Sequence, residues 1–298
     1  MGGDIRSHSE PDQAGFARRI QTFYDTIALE YDAERDAWTD HFNQVTQKFL
    51  RLVLDDCSPR RILDVGIGSG TQMPVYAAQS AELSVVDWSL GMLRVAAYKS
   101  AHEGIKANLL ASDAQSLPFA NATFDFVACC GSVLNYCSKP EFALAELSRV
   151  LRRKGTLVIG FDNRSFLDYL WVLIDSITRH KAKYRIHIKD AIRWFAEPGP
   201  FVSYPYLTAE GRIDYIPERF LSLRYVSAVL ASAGIVIGRT VGVHILSSLI
   251  PFTLIARPKT EPWLARFANR LSSLDHILTR LGGMNWLADH ILIEARRT

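Results

Sequence analysis

The chain has 298 residues, of which 48% are hydrophobic, 22% charged and 11% aromatic, values of a globular protein that exclude a fibrous or low-complexity one. A formal charge of +3, with Lys and Arg dispersed apart from "RVLRRKG" and the "ARRT" end, offers no basic face to a nucleic acid. Four cysteines, Cys57, Cys129, Cys130 and Cys137, show neither CxxC nor Cys/His spacing, which argues against a metal site and for a reducing compartment.

The opening "MGGDIRSHSEPDQAG" is polar and reads as no signal peptide. Gly2 is followed by Arg6 where a myristoylation motif takes Ser or Thr. No uncharged apolar run reaches the ~18 residues of a membrane span. A cytoplasmic protein is expected.

"FARRIQTFYDTIALEYDAERDAW" has helix-like apolar spacing, and "HFNQVTQKFLRLVLDDC" puts Phe42, Val45, Phe49, Leu52 and Val53 on one helix face. Five strand-length apolar runs follow, "RILDV", "LSVVD", "KANLLAS", "FDFVACC" and "GTLVIGF", separated by helical stretches. That alternation predicts a parallel sheet with helices on both faces. Ser89 is placed to cap the helix that ends at Gly104. "SKPE" has capping-box spacing before "FALAELSRVLRRKG", with Leu144, Leu147 and Leu151 toward the sheet and Gly155 as the stop.

From 163 to 218 the texture turns prolyl, aromatic and irregular, too long for an ordinary connection, and predicts an inserted cap. A helix ended by Gly234 and a strand, "IVIGRTVGVHIL", return the chain to the sheet. The last strand is "FTLIARP" or "ILIEARR"; the latter is preferred, after a helical insertion at about 250–285, because a terminal strand needs a sheet to join. The expected division is a helical lid at 1–57, a core at 58–162, the cap at 163–218, and a return at 219–298.

"RILDVGIGSG" runs a strand into Gly66, Gly68 and Gly70, where bare backbone lets a ligand approach at the carboxyl edge of a parallel sheet. A dinucleotide turn is G-x-G-x-x-G, and its third glycine position here is Thr71. Asp64 just upstream would oppose a pyrophosphate and suit a cationic cofactor. No G-K-S/T follows for a P-loop. Asp87 ends the next strand, about 20 residues on, where an acid grips ribose hydroxyls. Asp113 follows the third strand and is placed to accept from an adenine amino group, with Trp88 and Met92 as apolar flanks.

"ILDVGIGSG", "VVDWS", "SDAQSLPFANATFDFV" and "LAELSRVLRRKGTLVI" resemble the successive motifs of class I S-adenosylmethionine-dependent methyltransferases, in the small-molecule branch with a "FYDTIALEYD"-type N-terminal segment. The likeness covers 20–162 closely and 219–245 with the last strand loosely. It implies an α/β, doubly wound, seven-stranded mostly parallel sheet of order 3-2-1-4-5-7-6 with strand seven antiparallel, here carrying an inserted helical and aromatic cap. It implies S-adenosylmethionine as cofactor and S-adenosylhomocysteine as product. Asp64 and Gly66 to Gly70 would wrap the methionine part, Asp87 the ribose, Asp113 and Ala114 the adenine. Cys130 and Gly131 would offer backbone groups to the methionine amine, and Tyr24 and Tyr31 would close a lid. Trp88 is bulkier than the usual residue after the ribose acid, and the cap is no shared motif.

Transfer from a sulfonium requires mainly in-line positioning, with a base only where the acceptor must lose a proton. Candidates at the reaction face are Asn135, as acceptor contact or loop amide, and Tyr136; His187 is a base or an exposed histidine of the insert. Asn163 lines the pocket or serves a turn, and Trp194, with the other cap aromatics, covers the acceptor or forms the cap's own core. Leu246 to Ile255 is apolar and reads as a buried element or a membrane-surface contact. The expected function is methyl transfer to an oxygen or nitrogen of a small, partly hydrophobic acceptor, such as a natural-product, quinone or lipid-like metabolite. The alternative is a non-catalytic protein that binds the same cofactor.

Overall fold

The computed structural model describes residues 13–32, 37–164, 166–178, 180–194, 198–208, 212–255 and 284–298, with scattered positions between 263 and 278. Two helices, α1 (Gln13–Ile27) and α2 (Ala37–Cys57), precede β1 (Arg61–Val65), α3 (Met73–Ala77), β2 (Glu82–Asp87), α4 (Leu90–His102), β3 (Asn108–Ala111) and β4 (Phe124–Cys129). Then come α5 (Val133–Tyr136), α6 (Pro140–Val150), β5 (Leu151–Asp162), α7 (Phe166–Ile177), α8 (Ile188–Arg193), β6 (Val202–Leu207) and β7 (Ile213–Glu218). The chain finishes with α9 (Leu223–Ser232), β8 (Ile235–Val243), α10 (Phe252–Ile255) and β9 (His290–Arg297).

Seven strands form one sheet in the order β3-β2-β1-β4-β5-β9-β8, parallel except for β9, which runs antiparallel to both neighbours. This is the expected doubly wound order. All of β4 is buried because helices cover both faces, and its sequence is accordingly a continuous apolar run. Leu144 and Leu147 of α6 and Val226 and Leu230 of α9 fill one face. Val45, Phe49 and Val53 of α2, Tyr76 of α3 and Leu93 of α4 fill the other. On α2, Leu50 and Leu54 are buried and Leu52 is half exposed, which corrects the face assigned to Leu52. Ser89 caps α4 as expected, its hydroxyl accepting from the Met92 N–H at 3.1 Å.

Three local expectations are corrected. The capping box does not form: Lys139 is the N-cap of α6 without a side-chain bond, and the Ser138 hydroxyl donates to Gln115 Oε1 at 3.0 Å. Gly155 does not stop a helix. Leu151 already pairs with Phe124 and Thr156 with Phe126, so "RRKG" is taken up by an irregularity in β5, with Lys154 at φ 61°. The irregular cap contains an antiparallel hairpin, β6 with β7, whose Pro205 and Pro217 are tolerated because a two-stranded ribbon has open edges. "ILIEARR" is the last sheet strand, while "FTLI" is helical. The proposed amphipathic helix before it lies largely outside the described residues, among which no helix is long and apolar enough to cross a membrane.

Asn135 ties the cap's return to the core. Its amide donates to the Asp162 and Arg219 carbonyls at 2.8 and 2.6 Å, and its Oδ1 accepts from the Asp162 N–H at 2.9 Å. The residue is wholly buried, so removing it takes a partner from the Asp162 N–H and the Arg219 carbonyl, while the Asp162 carbonyl keeps the Leu221 N–H. Asn135→Ala should lower the unfolding free energy by about 3 kcal/mol, read as a reduced urea midpoint.

Candidate active site

In the order β2-β1-β4 the chain reverses its winding between β1 and β4, and a cleft opens there at the carboxyl edge of the sheet.

The glycine turn forms its floor. Gly66 has φ 77°, and a Cβ there would fall 2.1 Å from Val133 Cγ2. Gly68 has φ 55° with nothing within 4 Å of a Cβ, so bare peptide faces open space on the cleft wall. Gly70, at φ 86°, packs instead against Met73 and Ala96 and is absent from the wall. Its reason is helix packing, which corrects its assignment to the ligand.

Asp87 organises the turn. Oδ2 accepts from the Gly68 N–H at 2.8 Å and Oδ1 from the Ser89 N–H at 2.9 Å. The Trp88 backbone adds a further bond, and Asp87 lines the cleft. Burial raises its pKa, against these backbone donors. Trp88, Met92, Asp113 and Ala114 also line the cleft, with Asp113 Oδ1 accepting from the Gln115 N–H at 2.8 Å. Gly131 is on the wall. Cys130 is not: it is 4% exposed, and its sulfur turns toward the Val158 carbonyl. Asp64, 3% exposed, lies behind the wall.

Tyr24 and Tyr31 close one side, and Tyr136 meets the Tyr24 ring edge-on at 5.7 Å. Their segment is latched to α4. Asp25 Oδ1 accepts from the Ser89 hydroxyl at 2.6 Å and the Gly91 N–H at 2.8 Å, and Lys99 pairs with Asp32. Gly91 is required there, since a Cβ would come within 2.9 Å of Asp25 Cα.

The sequence reading missed Ser112, Gln115, Ser132, Val133 and Cys137 on the wall. Gln115 had a signal, two residues past Asp113 in "SDAQS"; its Oε1 accepts from the Ser138 hydroxyl and the Lys139 N–H. Of the reaction-face candidates only Tyr136 lines the cleft. Asn135 is a clamp with its bonds spent. His187 is exposed and caps α8 by accepting from the Lys189 N–H at 3.2 Å. Asn163 donates to the Trp286 and Ala288 carbonyls at 3.0 and 2.8 Å, which holds the turn into β9. Trp194 is 2% exposed and stacks on Phe220 at 4.3 Å inside the cap's own core. Backbone and packing demands absorb all four.

Residues 63–159, from β1 through β5, match the family described as "Methyltransferase domain". Over these residues the chain carries a methyltransferase domain of the class I, S-adenosylmethionine-dependent kind. The chain is 33% identical over 164 residues to a demethylmenaquinone methyltransferase of Renibacterium salmoninarum, across 54% of this chain and 66% of the relative. It is 26% identical over 151 residues to a ubiquinone/menaquinone biosynthesis C-methyltransferase (UbiE) of Paraburkholderia xenovorans, across 50% of this chain and 62% of that protein. The chain thus spans less than two thirds of the length of these relatives. In fold it is similar to the crystal structure of the [4+2]-cyclase SpnF, with a TM-score of 0.58, 18% identity, and coverage of 94% and 96% of the two chains.

Burial pushes the Asp64 carboxyl up to about 7, with the charge of Asp87 adding to it. The folded protein therefore holds this proton more tightly than the unfolded chain. The stability so conferred is complete below about pH 4, the unfolded value, and is lost as pH rises to about 7, a change of about 4 kcal/mol. Asp64→Asn, which cannot ionise, should match the wild type in urea at pH 4 and exceed it at pH 8. An equal difference at both pH values would contradict a buried neutral acid.

Proposed function

We propose that this chain transfers a methyl group from S-adenosylmethionine to a small aromatic acceptor held between the cleft and the cap. The observation that carries this reading is the Asp87 carboxylate, anchored by two backbone donors and still facing the cleft beside bare peptide at Gly68. In this reading Asp87 accepts from the two ribose hydroxyls, and Asp113 and Ala114 border the adenine between Trp88 and Met92. Gly66, Gly68 and Gly131 meet the methionine part, with Asp64 behind the wall. Tyr24 and Tyr31 cover the cofactor. Bound there, the sulfonium supplies an electrophilic methyl group.

Phe201, Tyr206 and Ile216 of the cap pack with Phe23 and with the cleft-wall residues Tyr24 and Tyr136, an apolar aromatic cluster backing that side of the cleft. It suits a ring-bearing acceptor. Both relatives' names concern quinone methylation, one of them at carbon, so a ring carbon of a reduced quinone joins the oxygen and nitrogen expected from sequence and is the reading favoured here.

Isothermal titration with S-adenosylmethionine, followed by assay of S-adenosylhomocysteine release with 1,4-naphthoquinol, tests the proposal. Asp87→Ala removes two hydrogen bonds to a charged group, of about 1.5–3 kcal/mol each, and should weaken binding by about 10²-fold or more. Unchanged affinity would sink the cofactor assignment. Cofactor binding without product release would favour the non-catalytic alternative.

A further inference from the structure

We propose that the outer surface of the cap, formed by α8 and the turn leading into it, docks on a lipid bilayer that bears anionic headgroups. The stretch from His180 to Arg193 carries five cations, Lys181, Lys183, Arg185, Lys189 and Arg193, against one acid, Asp190. Its net positive charge exceeds the +3 of the whole chain. Apolar residues separate these cations in sequence, so the stretch passes for dispersed charge until it is folded. All five are exposed, and none joins an ion pair among the described residues. Asp190 is half-buried in the first turn of α8.

The turn is built, not loose. Asp175 of α7 is wholly buried, and its carboxylate accepts from the Ala182 N–H at 2.7 Å and the Arg185 N–H at 2.9 Å, with His180 Nδ1 3.0 Å from Oδ2. His180, Lys183 and Arg185 take φ of 61°, 65° and 55°, a left-handed conformation uncommon for residues with a Cβ. The chain thus bends around an acid whose bonds are spent on backbone and imidazole, and its cations stay in solvent. In α8, Ala191 and Trp194 are buried in the cap core, while Ile188, Lys189, Ile192 and Arg193 are exposed. At i, i+4 spacing these four make an apolar pair beside a cationic pair on one helix face. Ile192 is 66% exposed. Ile177, at the end of α7, is 81% exposed, and the exposed Leu254 follows Thr253, whose hydroxyl donates to the Ala182 carbonyl at 2.7 Å.

The mixture of the two characters selects the occupant. A nucleic acid backbone would engage the cations and leave the isoleucines in water. A bilayer surface takes both, because headgroup phosphates meet Lys and Arg while apolar side chains enter the acyl boundary. The surface is tied to the cleft through β7. Tyr215 Oη donates to the Lys183 carbonyl at 2.8 Å, and Arg185 lies over its ring at 5.7 Å. The next residue, Ile216, packs with Tyr24 and Tyr136 of the cleft wall. Successive residues of a strand point to opposite faces, so the hairpin carries the basic turn on one side and backs the cleft on the other. Asp214 of the same strand pairs with Arg212 at 3.0 Å. None of the docking residues lines the cleft, so this inference stands or falls apart from the methyl-transfer reading.

Flotation of the full chain with vesicles of equimolar phosphatidylcholine and phosphatidylglycerol, beside vesicles of phosphatidylcholine alone, tests the proposal. The wild type should float with the anionic vesicles at low salt, stay behind with the neutral ones, and be released as salt rises. The double variant Lys189→Gln, Arg193→Gln should partition about 10-fold or more weakly, and so should Ile188→Ser, Ile192→Ser. Val236→Ser removes an exposed apolar side chain from the edge strand β8 and should leave partitioning at the wild-type level. All these side chains are exposed, and coincident thermal melts by circular dichroism check that the variants fold. The assignment is overturned if the wild type ignores anionic vesicles, if it binds both kinds equally, or if Val236→Ser costs as much as the isoleucine pair. It is also overturned if the cationic pair matters and the isoleucine pair does not, with duplex DNA competing against the vesicles, since that is the behaviour of a general polyanion surface.

Discussion

One carboxylate holds the site together. Asp87 receives the N–H of Gly68 from the turn after β1 and the N–H of Ser89 at the start of α4. Two adjacent strand tips and a helix N-terminus are thereby locked to a single acidic group on the cleft wall. The arrangement works because Gly66 and Gly68 adopt positive φ without penalty, which turns the backbone donors inward. A side chain at Gly66 would collide with Val133, so the turn also sets how closely the segment after β4 approaches. Cleft width and the reach of Asp87 are coupled through that contact.

The elements outside the sheet attach to this frame by polar clamps and not by apolar packing alone. Asp25 draws α1 onto the start of α4, and Ser89 serves three neighbours at once: it caps its own helix, donates to Asp25, and gives its N–H to Asp87. At the opposite wall, Asn135 spans the ends of β5 and the cap. These clamps set Tyr24 against Tyr136 and the cap aromatics against both, so this side of the cleft is backed by three segments distant in the chain. The cap divides its aromatics accordingly. Tyr184, Trp194 and Tyr204 form its own core, while Phe201 and Tyr206 pack in a cluster with Tyr24 and Tyr136.

Much of the core was legible because its signals are local. Strand-length apolar runs, a glycine turn and acids at strand ends each arise from a few consecutive residues, and they placed Asp87 and Asp113 at the edge where the cleft opens, while the sheet order and Gly131 came with the family resemblance. Local patterns misled where backbone groups elsewhere claimed a side chain. Ser138 had the spacing of a cap but bonds Gln115, and Asn163 looked available at a strand end but holds the turn before β9. Leu52 had the right helical phase but sits half exposed, because Leu50 and Leu54 face the sheet instead. The hairpin in the cap was hidden by its prolines, which discourage a strand reading unless both edges are known to be open.

By itself the sequence determined the alternation of strands and helices, the nucleoside-type turn and the acids that accompany it, since each depends on residue type and short spacing. Only the tertiary structure decided which of those groups reach the cleft. It withdrew Asp64, Gly70 and Cys130 behind the wall, spent Asn135 and Asn163 on carbonyls, and brought His290 beside Asp162 across 128 residues of chain. The reason is physical: a buried polar group must be satisfied by whatever the fold places beside it, and that neighbour lies far away in sequence.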